Sequence, residues 1–484
     1  MVGKQQREQE DLFIAGPLRD LIPDDHILKQ VDKVLDLSWL EEEVRDCYCP
    51  DKGRPSIDPE SALRLMLAGF FHNIIHDRAL MREAQVNLAI RWFAGYRLDE
   101  ALPERSSLTR IRQRWGEPLF RRVFERTVAQ CVAAGLVNAE TVHVDATLIR
   151  ADVSWDSLMV RHADRVLEAN PGEEEDGPGK SDPPDAKPAK PKKYSPTDPE
   201  ATMATSCKQY HLEPTYKQHT VVEDQSGVIV DVAVTTGEAP EADQLLGQLD
   251  RVEQMTGTKV KAATGDAAYA NGRNYAALEE RATDAVIPPQ KASIRKKVVQ
   301  RIPARRFKYD ARNDQVTCPC GKRLHRAGRG KNGYWYRAAS RDCQACPVRA
   351  RCISPTSRAR GMLIVDGYTA LLRARRRKET GWDPATRDKY QRHRWRVEGV
   401  HGRAKTQHGL RRAIRRGLAG VRGQVYLTAA AMNLKKLAAT LADLLKAALF
   451  QPWRFLRPLN LTPASFQRPH TLTAIRRQAS CMPR

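Results

Sequence analysis

Apolar residues recur at helical spacing from about residue 20 to residue 135, and beyond that the pattern changes to alternation. Asp24-Asp-His-Ile-Leu28 and Leu35-Asp-Leu-Ser-Trp-Leu40 predict a first helix and its continuation. Ser56-Ile-Asp-Pro-Glu-Ser61 supplies capping side chains and a proline suited to a helix start. A broad apolar face follows over Ala62–Phe71, and Asp77–Phe93 reads as one amphipathic helix. After a loop with Pro103, Arg105–Trp115 predicts a helix that Ser106 or Ser107 caps and that Arg110, Arg112 and Arg114 make basic. Helix, turn and basic helix is the layout of a helix-turn-helix, a weak signal because short helix pairs are common.

Alternation begins at Glu140-Thr-Val-His-Val-Asp145-Ala-Thr147, a strand with Asp145 near its carboxyl end. A short helical stretch is expected around Trp155, Leu158 and Met159. Two strands at 216–222 and 228–235 flank the turn Glu223-Asp-Gln-Ser-Gly227. A helix from Ala242, a strand at 259–264 ending on Gly265-Asp266-Ala-Ala-Tyr269, a helix through Tyr275 and a strand at Ala285-Val-Ile complete the run. That order fits a mixed α/β sheet. His143 alternates away from Asp145 on its strand and reads as structural. Pro, Glu, Asp and Lys crowd the stretch from about 170 to 205, which reads as a disordered surface insertion.

Charge divides the chain unevenly. The net charge is +23, yet residues 291–423 hold 37 Lys/Arg against 8 Asp/Glu, a surplus of 29, and the remainder is net −6. Positive charge gathered in one contiguous third points to a polyanion as partner. No uninterrupted apolar run is long enough to span a membrane, and the N-terminus carries no apolar signal segment, so a soluble, cytoplasmic protein is expected.

Within this basic third, Tyr390–Lys405 read at 3.6 residues per turn places Arg394, Glu398, His401 and Lys405 on one helix face. Asp145, Asp266 and Glu398 make a three-carboxylate set that only the fold can bring together, and strand ends on one edge of a sheet provide such convergence. Hard oxygen ligands suit Mg²⁺ or Mn²⁺, and two such ions about 3.5–4 Å apart would serve phosphodiester chemistry. Any one of these acids alone reads as an ordinary turn or surface carboxylate.

Five of the ten cysteines, Cys318, Cys320, Cys343, Cys346 and Cys352, fall within 35 residues. In a reducing compartment that cluster reads as candidate zinc ligands before disulfides, with reduced thiols as the plain alternative. Cys47 and Cys49 form a weaker pair, and Cys131, Cys207 and Cys481 stand alone. Tyr334, Trp335 and Tyr336 could stack on bases, but a small domain needs aromatics, and core is the expected role.

Val144-Asp145-Ala-Thr147, Gly265-Asp266-Ala-Ala-Tyr269 and Arg394-Trp-Arg-Val-Glu398-Gly-Val-His-Gly-Arg-Ala-Lys405 resemble the three signature blocks of bacterial insertion-sequence transposases of the DDE type. Arg394, Glu398 and Lys405 match the spacing of the last block; its tyrosine does not, because position 391 is Gln and Tyr390 is one residue early. The resemblance runs from about Asp24 to about residue 440. It implies a ribonuclease-H-like catalytic domain in which Asp145, Asp266 and Glu398 hold Mg²⁺ or Mn²⁺, and Arg394 and Lys405, with His401 and Arg403 on the same helix, contact DNA. It also implies cysteines at Cys318, Cys343, Cys346 and Cys352 as the ligand set for a structural Zn²⁺, with Cys320 to spare.

The expected organisation is a helical domain over 1–135 that binds DNA ends and a first catalytic segment over 136–290. A basic cysteine-rich insertion over 291–375, the completed core over 376–450 and a basic tail over 451–484 follow. The expected activity is metal-dependent cleavage of terminal inverted repeats and strand transfer into target DNA, by a homodimer or larger synaptic assembly. A structure-specific nuclease without strand transfer and a catalytically silent DNA-binding derivative are the alternatives.

Overall fold

The computed structural model describes residues 16–49, 56–160, 193–205, 211–290 and 302–450. Most of the expected 170–205 insertion and the 451–484 tail lie outside them.

The N-terminal third is helical as its periodicity predicts: α1 (Ile27–Asp32), α2 (Leu40–Val44), α3 (Pro59–Phe71), α4 (Asp77–Val86), α5 (Leu88–Phe93) and α6 (Arg105–Ala133). Asp58 caps α3 by accepting from the Ser61 amide at 2.7 Å, with Pro59 in the first turn. The stretch 77–93 is two helices rather than one. Asn87 interrupts it with extended backbone and caps α5 by accepting from the Ile90 amide at 3.2 Å. A second break lies inside α6 at Gly116, whose φ of 69° only glycine adopts cheaply, just ahead of Pro118.

Part of the basic face of α6 is spent inside the fold. Arg112 grips Asp77 of α4 with two bonds, at 2.7 and 2.8 Å, and Arg114 lies over the Tyr48 ring at 4.7 Å. Of the three arginines that suggested a DNA-reading helix, Arg110 and Arg114 are exposed.

A mixed sheet follows. Its strands are β1 (Thr141–Arg150), β4 (Thr202–Ala204), β5 (Glu213–Glu223), β6 (Ile229–Thr236), β7 (Ala262–Thr264) and β8 (Asp284–Val286); β2 (Met159–Val160) and β3 (Lys193–Tyr194) pair apart from it. The order is β4-β5-β1-β7-β8, with β6 also on β5. β5 runs antiparallel to β1 and β6, whereas β7 and β8 run parallel to β1, the arrangement expected of a ribonuclease-H-like sheet. The stretch around Trp155 is a single 3-10 turn leading into β2, too short for the helix its apolar residues suggested. β4 pairs with the start of β5, so the end of the expected disordered insertion is ordered sheet.

Helices α7 (Leu245–Thr256) and α8 (Gly272–Glu280) alternate with β6, β7 and β8. The cysteine-bearing segment forms a second sheet in the order β13-β12-β11-β10-β9, from β9 (Lys308–Asp310), β10 (Gln315–Thr317), β11 (Arg323–Gly330), β12 (Gly333–Ala338) and β13 (Gly361–Val365). Two short helices, α9 (Ser340–Gln344) and α10 (Arg349–Cys352), lie between its last strands. Three helices close the described chain: α11 (Tyr368–Thr380), α12 (Pro384–Gln407) and α13 (Gly417–Phe450). Residues Leu441–Arg484 form a unit of their own, and of these the described part is the end of α13.

One hydrophobic core runs from Ile22 through the N-terminal helices and the main sheet to Ala438. Apolar burial of that extent is the main favourable term in folding. The insertion has its own core, built on Phe307, Val316, Leu324, Tyr336, Met362 and Ile364. Of the three aromatics expected in that core only Tyr336 is fully buried; Tyr334 is sandwiched between Arg326 and Arg329, and Trp335 is exposed.

Candidate active site

Register brings the first two acids together. β1 and β7 pair in parallel, with His143 opposite Thr264, so two residues further along each chain come Asp145 and Asp266. Asp145 sits on β1 opposite Thr220 of β5, a quarter exposed at the floor of a cleft of about 560 Å³. Asp266 is exposed at the same cleft and turns its Oδ1 back to accept from the Ala268 amide at 2.7 Å, starting the 3-10 turn Ala267–Tyr269. Burial pushes the Asp145 carboxyl up to about 7, and the nearby charges of Asp266, Glu241 and Glu398 add to the rise against one bond from the Ala146 amide.

Glu398, on α12, does not line this cleft, but its charge is felt at Asp145. The Glu398 side chain is 64% exposed and accepts from Arg394 Nε at 3.2 Å, one turn earlier. What seats the helix is polar. Thr264 Oγ1 lies 2.6 Å from His143 Nδ1 and 2.9 Å from His393 Nδ1, joining both acid-bearing strands to α12. On its other side His143 Nε2 meets Asp224 Oδ1 at 2.9 Å, and Asp224 takes two bonds from Arg392 of α12 at 2.8 and 3.0 Å. Burial lowers the pKa of both His143 and His393, the latter to about 4, so the rings are neutral at pH 7 and act as hydrogen-bond links. The role of His143 is this structural link, but it does not point away from Asp145: two residues apart on β1, the two share the face that meets α12, at His393 and His401.

The helix face differs from the one drawn on a wheel. His393, Val397, Val400, His401 and Ala404 are the buried side of α12, so His401 faces the sheet and Glu398 the solvent. His401 Nε2 lies 3.1 Å from Thr220 Oγ1, and its Nδ1 is 3.7 Å from Asp145 Oδ2. Burial drops its pKa to about 3. A neutral ring packed under Asp145 is not placed to touch DNA, and the expectation of a DNA contact is corrected accordingly. Lys405 lines the cleft and donates to Thr147 Oγ1 at 2.6 Å; Arg394 and Arg403 are exposed on α12.

Two cleft residues carried no signal of their own in the sequence. Glu241 opens a 3-10 turn after β6 and lines the cleft with Asp145 and Asp266. Lys217 of β5, also in the lining, lies 3.3 Å from its Oε1. Their spacing from the motif acids is irregular, and the pairing of β5 with β1 is what places them. Among the described residues no three His, Cys, Asp or Glu side chains are gathered tightly enough to hold a metal ion. Asp145, Asp266 and Glu241 line one cleft, and Glu398 stands outside its lining.

In the insertion, Cys320 Sγ is 3.7 Å from Cys346 Sγ. That is close to the separation of two thiolates sharing a tetrahedral ion at about 2.3 Å each. Cys318, Cys343 and Cys352 lie in the same neighbourhood, electrostatically coupled to this pair. Cys320, set aside as spare on the resemblance, is therefore the thiol beside Cys346.

Residues 16–114 match the family model described as "Transposase domain (DUF772)", and residues 317–438 match the one described as "Transposase DDE domain". Both segments are thus similar to transposase domains, the second of the DDE type. The second match spans the insertion, α12 and Glu398, while Asp145 and Asp266 fall between the two matched segments. No curated protein matches the chain. Among solved structures it is similar to a piggyBac transposase synaptic complex with hairpin DNA, at 10% identity over 88% of this chain and 81% of that one, with a TM-score of 0.29. It is also similar to a Mos1 transposase paired-end complex with the left transposon end, at 10% identity over 51% and 65% of the two chains, with a TM-score of 0.16. Scores this low give neither likeness any weight. No helix among the described residues is long and apolar enough to cross a membrane.

Proposed function

We propose that this protein is a transposase that cuts DNA at the ends of its element and joins the freed 3′ ends to target DNA, with Asp145, Asp266 and Glu398 holding divalent ions. The observation that supports the reading is the β1–β7 register, which carries Asp145 and Asp266, each two residues past the His143–Thr264 pair, to the lining of one cleft. The donor set fits Mg²⁺ or Mn²⁺: the carboxylates of Asp145 and Asp266 line one cleft, and the buried Tyr269 hydroxyl, within reach of their charge, has no hydrogen-bond partner among the described residues. When bound, such ions polarise a phosphate and activate water or a 3′-hydroxyl.

The chain's own residues do the rest. Lys405 and Arg411 line the cleft with Arg150, and together they hold phosphate oxygens next to the acids. Arg394 and Arg403, exposed on α12, extend that grip along the backbone of the DNA. His401 and Thr220 fix the face of Asp145 turned away from the substrate. The insertion presents Arg326, Arg329 and exposed Trp335 as a further DNA-facing surface. A Zn²⁺ held by four of the five cysteines, Cys320 and Cys346 among them, would pin its two short helices to its sheet once the remaining thiols closed on it. Synapsis of two element ends requires at least a dimer on DNA.

Asp145→Ala tests the assignment. It abolishes cleavage and leaves DNA affinity within about threefold, because affinity comes mainly from Lys/Arg–phosphate contacts. Loss of binding together with cleavage would make Asp145 a structural residue and remove the reading.

A further inference from the structure

The cleft holds an acid that the three-block pattern does not contain. Glu241 starts the turn Glu241–Asp243, and Asp266 starts the turn Ala267–Tyr269; the two turns pack on each other. Asn274 of α8 fixes them in place: its buried Nδ2 donates to the Ala242 carbonyl and to the Tyr269 carbonyl, each at 3.0 Å. Glu241 is thus held beside Asp266 by a built cross-link and not by a mobile loop. Its side chain is 23% exposed, against 64% for Glu398, which leans out to Arg394.

A second observation points the same way. Tyr269 is fully buried, and its hydroxyl has no hydrogen-bond partner among the described residues. The groups nearest to it electrostatically are Asp145, Glu241 and Asp266, which with burial hold the phenol protonated. A buried donor left unpaired among three carboxylates is costly. It is satisfied if the carboxylates close around an ion and one of them, or a water on the ion, accepts from it. Lys217 supplies the remaining charge: 13% exposed, it donates to the Ala239 carbonyl at 2.9 Å and lies 3.3 Å from Glu241 Oε1. An ammonium can stand in for a divalent ion at a carboxylate, though with half its charge.

We propose that Glu241 is a further metal-holding carboxylate of this chain, acting with Asp145 and Asp266 while Lys217 occupies it in the ion-free state. This rests on the reading of Asp145 and Asp266 as metal ligands. It makes the cleft a site of three acids, Asp145, Asp266 and Glu241, with Glu241 contributed from the turn after β6 and Glu398 outside the lining.

The test is Mn²⁺ binding to the full-length protein without DNA, followed by calorimetry or by water-proton relaxation, for wild type, Glu241→Gln and Asp145→Asn. Thermal melting verifies that each variant is folded. Glu241→Gln is expected to weaken Mn²⁺ about tenfold or more, as removal of one charged oxygen ligand does, and Asp145→Asn to weaken it at least as much. If Asp145→Asn loses the ion and Glu241→Gln binds within about threefold of wild type, Glu241 is an ordinary partner of Lys217 and the inference fails alone. If neither variant changes binding, the inference fails together with the metal assignment it rests on. Should Glu241→Gln not fold, Lys217→Met reads the same competition: it is expected to tighten Mn²⁺ binding, and unchanged or weaker binding overturns the proposal.

Discussion

His393 of the Glu398 helix and Thr264 of the strand before Asp266 meet at 2.9 Å in the buried centre of the molecule. Thr264 reaches His143 on the Asp145 strand as well, so one hydroxyl ties together the three elements that carry the acids. Thr264→Val keeps the shape and removes the link, leaving two buried imidazole nitrogens unpaired. It is expected to cost about 1–3 kcal/mol of stability and to lower cleavage with DNA affinity unchanged. Denaturant melts and a cleavage assay on the same preparation check this.

Acid should unfold the protein early. Burial holds His219, His393 and His408 near pKa 4 and His401 near 3, all below the ordinary value of 6.5. The unfolded chain therefore takes up protons before the folded one, and stability present above pH 6.5 is lost as pH falls through 6 toward 4. Asp145, raised to about 7, acts with the opposite sign between pH 4 and 7 but is one group against four. The urea midpoint should drop steadily from pH 7 to pH 4.5; a flat profile would mean that these rings are solvated.

Asp77 ties α4 to α6 and to the segment before α13. It takes two bonds from Arg112, one from Thr109 at 3.0 Å and one from Arg415 at 3.3 Å. Asp77→Ala strands the Arg112 guanidinium, which is almost out of reach of solvent, and should cost about 3–5 kcal/mol. The chemical-denaturation midpoint reads this directly. An effect under about 1 kcal/mol would place the pair in solvent.

The thiol cluster predicts zinc in the purified protein at about one ion per chain, by elemental analysis. Cys346→Ser and Cys320→Ser should each release it and loosen the insertion to proteolysis, while Cys131→Ser, far off in the main core, leaves the zinc in place. Full zinc content in Cys320→Ser would return that residue to the role of spare.

The order of strands and helices was legible because burial on one face writes itself as period. α3 and α4 repeat at helical spacing and β1 and β6 alternate in sequence, whereas β5, buried on both faces, was read from its β-branched residues. The three acids stood out as motif blocks, but β1 runs on to Arg150, which leaves Asp145 at mid-strand and not near the carboxyl end expected for it. The helix wheel of 390–405 misled over His401, since four charged or polar residues at helical spacing look like one exposed face. Packing of Val397, Val400 and Ala404 on the sheet turns His401 inward. The fate of Arg112 and Arg114 was hidden for a related reason: their partners Asp77 and Tyr48 lie 35 and 66 residues away in sequence. Glu241 had no local signature, because only the β5–β1 pairing and the Asn274 cross-link bring it to the cleft.

The most direct measurement uses a labelled duplex carrying the element's own terminal repeats, incubated with purified protein in Mg²⁺, Mn²⁺ or EDTA, with Glu398→Gln alongside. Metal-dependent nicking at the repeat boundary, followed by joined products, both absent from the variant and from EDTA, is the predicted result. Nicking without joining would make the protein a nuclease, and tight binding with no cutting in either metal would contradict the account at its centre.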